Sequence, residues 1–163
     1  HFKLKPVFLG GAQELQKRAG TENLPGILGL AEAVTILQSE QEAIAQTLLD
    51  LRCHLENQLL SRIPDVRING EGPRIANTLC AAFLGVEGEA LLMHLDMAGI
   101  AVSHGSACSS GSLEPSRVLT QMGIDRKTAR SSIRISLSRL NKREEIDCFV
   151  DSIESIVTKL RQR

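Results

Sequence analysis

Three short stretches of the 163-residue sequence bring together side chains that could do chemistry. The first is Ser103-His104-Gly105-Ser106-Ala107-Cys108-Ser109-Ser110-Gly111-Ser112, a run with no branched apolar residue and a thiol near its middle. Cysteine usually behaves as a small buried hydrophobe. Glycine and serine neighbours instead favour an exposed, adaptable backbone. Cys108 therefore reads either as a thiol on a compliant tether or as a residue of an ordinary solvent loop. The second stretch, Ser132 to Ser138, alternates Ile133, Ile135 and Leu137 with Arg134, Ser136 and Ser138. Arg134 on the polar face is either solvated or a fixed guanidinium for a carboxylate, since its planar fork is always charged and binds bidentately. The third is Gly20-Thr21-Glu22-Asn23 ahead of Pro25. Such a turn opening a helix either serves as a plain N-cap or offers an anion its amides, a hydroxyl and the positive helix end.

Positioning these groups falls to elements legible from periodicity. Residues 1 to 12 are extended and end on Gly10-Gly11. From Ile27, apolar residues recur at Leu30, Val34, Leu37, Ile44, Leu48, Leu51, Leu55 and Leu59, with no Gly or Pro between 31 and 63. That spacing predicts one long amphipathic helix, or two nearly collinear ones, roughly 50 Å long at ~1.5 Å per residue. Strands are expected at Val66–Asn69, Asn77–Leu84, Ile100–Ser103 and Ser132–Ser138. Further helices are expected at Glu87–Ala98, at Ser116–Met122 and after the capping box Asn141-Lys142-Arg143-Glu144, with a short turn or helix at Asp125–Ala129. Cys53 and Cys80 read as packing residues, Cys148 lies beside the buried stripe of the last helix, and His94 reads as a surface or interface histidine. The order implies an α+β layer: a small, mainly antiparallel sheet with helices packed on one face.

Composition removes several functions. Lys+Arg and Asp+Glu are both 19, giving no broad electrostatic case for nucleic acid or an anionic membrane. With no Trp or Tyr and only four Phe, the core is aliphatic and no stacking platform for single strands exists. The four cysteines are 27, 28 and 40 residues apart, so neither a zinc knuckle nor a disulfide framework is expected, and no metal site. No run is long enough to span a membrane. Reducing, cytoplasmic surroundings are the expectation, with an organelle left open because the chain begins at His1.

Several stretches, in order along the chain, resemble the C-terminal part of cysteine desulfurases of the NifS/IscS type, pyridoxal-phosphate enzymes of the class V aminotransferase group. They are Gly10-Gly11-Ala12-Gln13-Glu14, Arg18-Ala19-Gly20-Thr21-Glu22-Asn23, Ile27-Leu28-Gly29-Leu30 and Gly105-Ser106-Ala107-Cys108-Ser109-Ser110-Gly111-Ser112. Pro115-Ser116, Val118-Leu119, Met122-Gly123, Ile133-Arg134-Ile135-Ser136-Leu137 and Glu144-Glu145-Ile146-Asp147 complete the match. The resemblance implies that Cys108 is the nucleophile that takes sulfur from L-cysteine as a persulfide and passes it to an acceptor, such as an iron–sulfur scaffold protein. It implies that Arg134 holds the substrate carboxylate and that Thr21 reaches the cofactor phosphate of a neighbouring subunit, hence a homodimer. His104 would be an auxiliary base or cation, or a plain loop residue.

The same resemblance implies a division of the chain. Residues 1–26 would be a remnant of the large cofactor domain, 27–63 a long inter-domain helix, and 64–163 the small C-terminal domain with the cysteine loop. The family's Ser-x-His-Lys segment, whose lysine binds pyridoxal phosphate, has no counterpart among Lys3, Lys5, Lys17, Lys127, Lys142 and Lys159. An N-terminal cofactor domain is thus expected outside this sequence, and these residues alone are expected to be inactive. Leu15-Gln16 stands where relatives often carry Arg-Gly. Two alternatives remain: a non-enzymatic sulfur-carrying or scaffold-docking module, and a related lyase acting on selenocysteine or cystine.

Overall fold

A computed structural model of the chain describes residues 4–104 and 115–162. It divides into two units, residues 1–41 and 42–163. In the first, Gln13–Gln16 forms a single turn, α1, in which Glu14, Leu15 and Gln16 have φ of 50°, 53° and 62°. This left-handed conformation is unfavourable for a side chain. Glycine adopts it freely. Gln16→Gly is expected to stabilise the turn by ~1 kcal/mol. Slower exchange of the Lys17 amide, which donates to Glu14 O at 3.0 Å, would report it.

The long helix α2 runs from Leu24 to Arg62, uninterrupted for 39 residues. Asn23 starts it, its Oδ1 accepting from Gly26 N at 3.1 Å while its carbonyl accepts from Ile27 N. The apolar stripe read from the sequence behaves differently along its length. Leu48, Leu55 and Leu59 are buried, whereas Ile27, Leu30, Val34 and Leu37 are exposed. Burial requires a facing element, and one exists for the later residues within the second unit.

That facing element is a four-stranded antiparallel sheet in the order β1-β2-β4-β3. Its strands are β1 (Val66–Ile68), β2 (Thr78–Phe83), β3 (Ser103–His104) and β4 (Ser132–Ser136). Alternation sets its faces. Leu79, Ala81, Phe83, Ile133 and Ile135 turn to one side and are buried with Leu55 and Leu59 of α2. Leu91 and Leu95 of α3 (Gly88–Met97) and Val150, Ile153 and Val157 of α6 (Arg143–Arg161) complete the same core. Each of the Leu, Ile, Val and Phe side chains among them contributes about 1.5–3 kcal/mol on burial. The small antiparallel sheet with its helical layer matches the sequence expectation.

Three details correct it. The third strand comprises Ser103 and His104 alone, since Ile100 and Val102 pack against the core outside the ladder. The cap of α6 is Lys142 rather than Asn141: Glu145 Oε2 accepts from Lys142 N at 2.9 Å and from Asn141 Nδ2 at 3.2 Å. Cys53 is exposed instead of packed and Cys80 is only half-buried, while Cys148, beside the α6 stripe, is exposed. Two short helices, α4 (Arg117–Gln121) and α5 (Arg126–Arg130), precede β4. Asp125 caps α5, accepting from Thr128 N at 2.9 Å.

Hydrogen bonds to Thr128 hold the Asp125 carboxyl below its usual range, and those from Lys142 and Asn141 do the same for Glu145. A carboxylate depressed in the folded state stabilises it above the unfolded value and loses that contribution as pH falls through the folded one. Acidification below about pH 4 is therefore expected to loosen the first turns of α5 and α6 before the core yields. Amide exchange at Thr128 and Lys142, the donors to these carboxylates, should rise first; a uniform rise across all elements would contradict it.

Candidate functional site

Arg134 lies on the sheet face that turns away from α2, α3 and α6, on which α5 packs beside Ser132. Strand alternation puts it opposite its buried neighbours Ile133 and Ile135. In register it faces Cys80 of β2 on one side and Ser103 of β3 on the other. Its guanidinium is exposed, and Nη2 donates to Ser103 Oγ at 3.3 Å. Among the described residues no carboxylate is paired with it, so its remaining N–H donors are available to an incoming anion.

Cys80 shares this face. Burial pushes its thiol up, while the Asn69 hydrogen bond and the charge of Arg134 pull the other way to a lesser degree. It therefore stays a thiol at neutral pH and is a poor nucleophile. Asn69 donates to Cys80 Sγ at 3.4 Å and to Ser132 Oγ at 2.8 Å, and Ser132 in turn donates to the Thr128 carbonyl. Sequence reasoning missed this buried chain because Asn69 and Ser132 lie 63 residues apart. The polar phase of the β2 and β4 alternation was the one signal pointing to it.

His104 ends β3, and its Nε2 lies 3.1 Å from the Arg130 carbonyl oxygen. A carbonyl only accepts, so Nε2 carries the hydrogen. Cys108 lies outside the described residues, between His104 and the buried Pro115. Thr21 belongs to the first unit, exposed beside Gly20, whose φ is 104°. Asn23, not Thr21, serves as the helix cap. The Thr21 hydroxyl has no hydrogen bond among the described residues.

A cleft of 640 Å³ lies elsewhere in the second unit, lined by Ile100, Val102, Ile135, Leu137, Cys148 and Phe149 among others. Neither Arg134 nor Ser103 lines it, so its size does not make it the candidate site. Among the described residues no cluster of His, Cys, Asp and Glu could hold a metal ion. No helix there is long and apolar enough to cross a membrane.

Residues 9–149 match the aminotransferase class-V family model. The chain belongs to the aminotransferase class-V family. Within that family it is similar to proteins described as cysteine desulfurases. One from Methanosarcina thermophila, named cysteine desulfurase IscS, is 46% identical over 98% of this chain and 39% of its own length. Another, from Nostoc sp., is 44% identical over 98% of this chain and 40% of its own. Among solved structures, a NifS-like protein from Rickettsia africae superposes with a TM-score of 0.79 at 32% identity, covering 96% of this chain and 41% of its own. A second NifS-like protein gives 0.80 at 35% identity, over 96% of this chain and 39% of that one. The chain thus spans about two-fifths of the length of these class-V relatives. Pyridoxal phosphate is the cofactor this family implies. The exposed Thr21 hydroxyl beside the α2 N-terminus suits a phosphate, and Arg134, without a carboxylate partner among the described residues, suits a carboxylate.

Proposed function

We propose that this chain is the C-terminal part of a pyridoxal-phosphate-dependent cysteine desulfurase that converts L-cysteine to L-alanine and carries the sulfur on Cys108. One observation carries the reading: an exposed arginine, Arg134, without a carboxylate partner among the described residues, tied to the strand that leads into Gly105-Ser106-Ala107-Cys108. The similarity to proteins named cysteine desulfurase supports it.

In this reading Arg134 binds the substrate carboxylate through paired N–H donors and so orients the side chain. The Cys108 thiolate attacks the substrate Sγ. A sulfur–sulfur bond forms as the Cβ–Sγ bond breaks; carbon keeps the bonding pair and gains a proton, which yields alanine. The displaced sulfur remains as the outer atom of a persulfide, ready for a second thiolate. When bound, pyridoxal phosphate supplies an electron sink for the substrate carbons. Thr21 would hold its phosphate in the other subunit of a homodimer, and the lysine that binds it would come from an N-terminal domain. Residues 1–26, 27–63 and 64–163 would then be a large-domain remnant, a connecting helix and the small domain.

Sulfur would pass to an acceptor protein, with an iron–sulfur scaffold as the expected class, in the cytoplasm. The residues present here, without the lysine, would release no alanine by themselves. The test is to give L-cysteine to the complete enzyme and measure alanine together with the mass of Cys108. Alanine with one added sulfur atom on Cys108 is the expected result. Alanine without sulfur on Cys108 would remove the assignment.

A further inference from the structure

Strand β3 is two residues long, and each residue ties a different neighbour. Ser103 Oγ accepts from Arg134 Nη2 at 3.3 Å. His104 donates from Nε2 to the Arg130 carbonyl at 3.1 Å, and that carbonyl belongs to the last residue of α5. Helix ends leave such oxygens without an intrahelical partner, so this bond satisfies a group that otherwise needs one. The imidazole fits only because residue 88 is glycine. A Cβ there would lie 2.4 Å from His104 Cδ2 and 2.6 Å from the Arg130 oxygen. The second of these is backbone and cannot swing aside.

We infer that β3 is a positioning strand: Ser103 aims Arg134, and His104, seated in the slot left by Gly88, locks the strand that carries Ser103. The role of Arg134 in binding substrate rests on the desulfurase reading; the lock itself does not. The ladder between β3 and β4 comprises only the pairs Ser103–Arg134 and His104–Ile133. So short an edge strand needs an additional tie to keep its register. An exposed arginine also has many rotamers, and a serine acceptor narrows them while leaving its other donors free. His104 acts here through position and not as a proton carrier.

The complete enzyme is the material for the test. Ser103→Ala is expected to raise KM for cysteine about fivefold with kcat changed by less than about twofold. Ser103→Thr, which keeps the hydroxyl, should restore KM. His104→Gln still donates an N–H but does not titrate, so it should keep the pH profile of the parent. Gly88→Ala should raise KM as Ser103→Ala does, and should abolish the Nε2–H signature of His104 in nitrogen-15 spectra. An unchanged KM in Ser103→Ala overturns the inference, as does a pH limb lost in His104→Gln. If Gly88→Ala does not fold, the two Ser103 variants decide. A parent enzyme that releases no alanine counts against the desulfurase reading alone. The lock is then judged on the spectra, where an Nδ1–H form of His104 in the parent overturns it.

Discussion

Cys108→Ser in the complete enzyme is expected to lower alanine and persulfide formation by at least about a thousandfold, with cofactor binding unchanged. A serine hydroxyl does not ionise at neutral pH, whereas a free thiol near ~8.5 is already a few per cent thiolate. Sulfur is also the better nucleophile toward sulfur, and an oxygen in its place cannot hold a persulfide. The effect should fall on turnover rather than on substrate binding, because Arg134 would still hold the carboxylate. Retention of the cofactor absorbance with loss of alanine is the expected pair of measurements. Undiminished sulfur release from the variant would move the nucleophile elsewhere.

Arg134→Ala is expected to raise KM for cysteine by roughly ten- to a hundredfold, the loss of a charge-assisted contact worth ~1.5–3 kcal/mol. Arg134→Lys should recover only part of this, since an ammonium offers a point charge in place of a fork. The removed side chain is exposed, so the core and the thermal midpoint should hardly move. That separation matters: Ile133 and Ile135 on either side are buried, and a change there would destabilise the sheet instead. A KM unaltered by Arg134→Ala would return this arginine to the ordinary solvated residue that its alternation also permits.

Much of the architecture was legible because it rests on periodicity. The stretch Ile133 to Leu137 declares its strand and its exposed arginine by alternation alone, and α6 declares its buried stripe by threes and fours. The short elements were not. Ile100 and Val102 are strand formers by type, yet the ladder takes only Ser103 and His104, because pairing with β4 starts where Ser103 meets Arg134. The apolar residues of the first part of α2 are spaced for burial, but spacing does not reveal whether a facing element exists. The candidate site was legible as residue types and not as a constellation. Arg134 and Thr21 could be named, whereas the contact with Ser103 spans 31 residues and the Asn69–Ser132 bond spans 63. The seat of His104 depends on the hydrogen that Gly88 has instead of a side chain.

The unequal surroundings of the cysteines have a practical consequence. Cys53 and Cys148 are open to solvent, while the half-buried Cys80 is held in its unreactive thiol form. Alkylating reagents should tag the first two readily and spare Cys80 until the chain unfolds. A count of trapped sulfur made on intact protein would then mix the Cys108 signal with background from two bystanders. Replacing Cys53 and Cys148 by serine should remove that background, so that sulfur carried on Cys108 could be read against the slow-labelling Cys80.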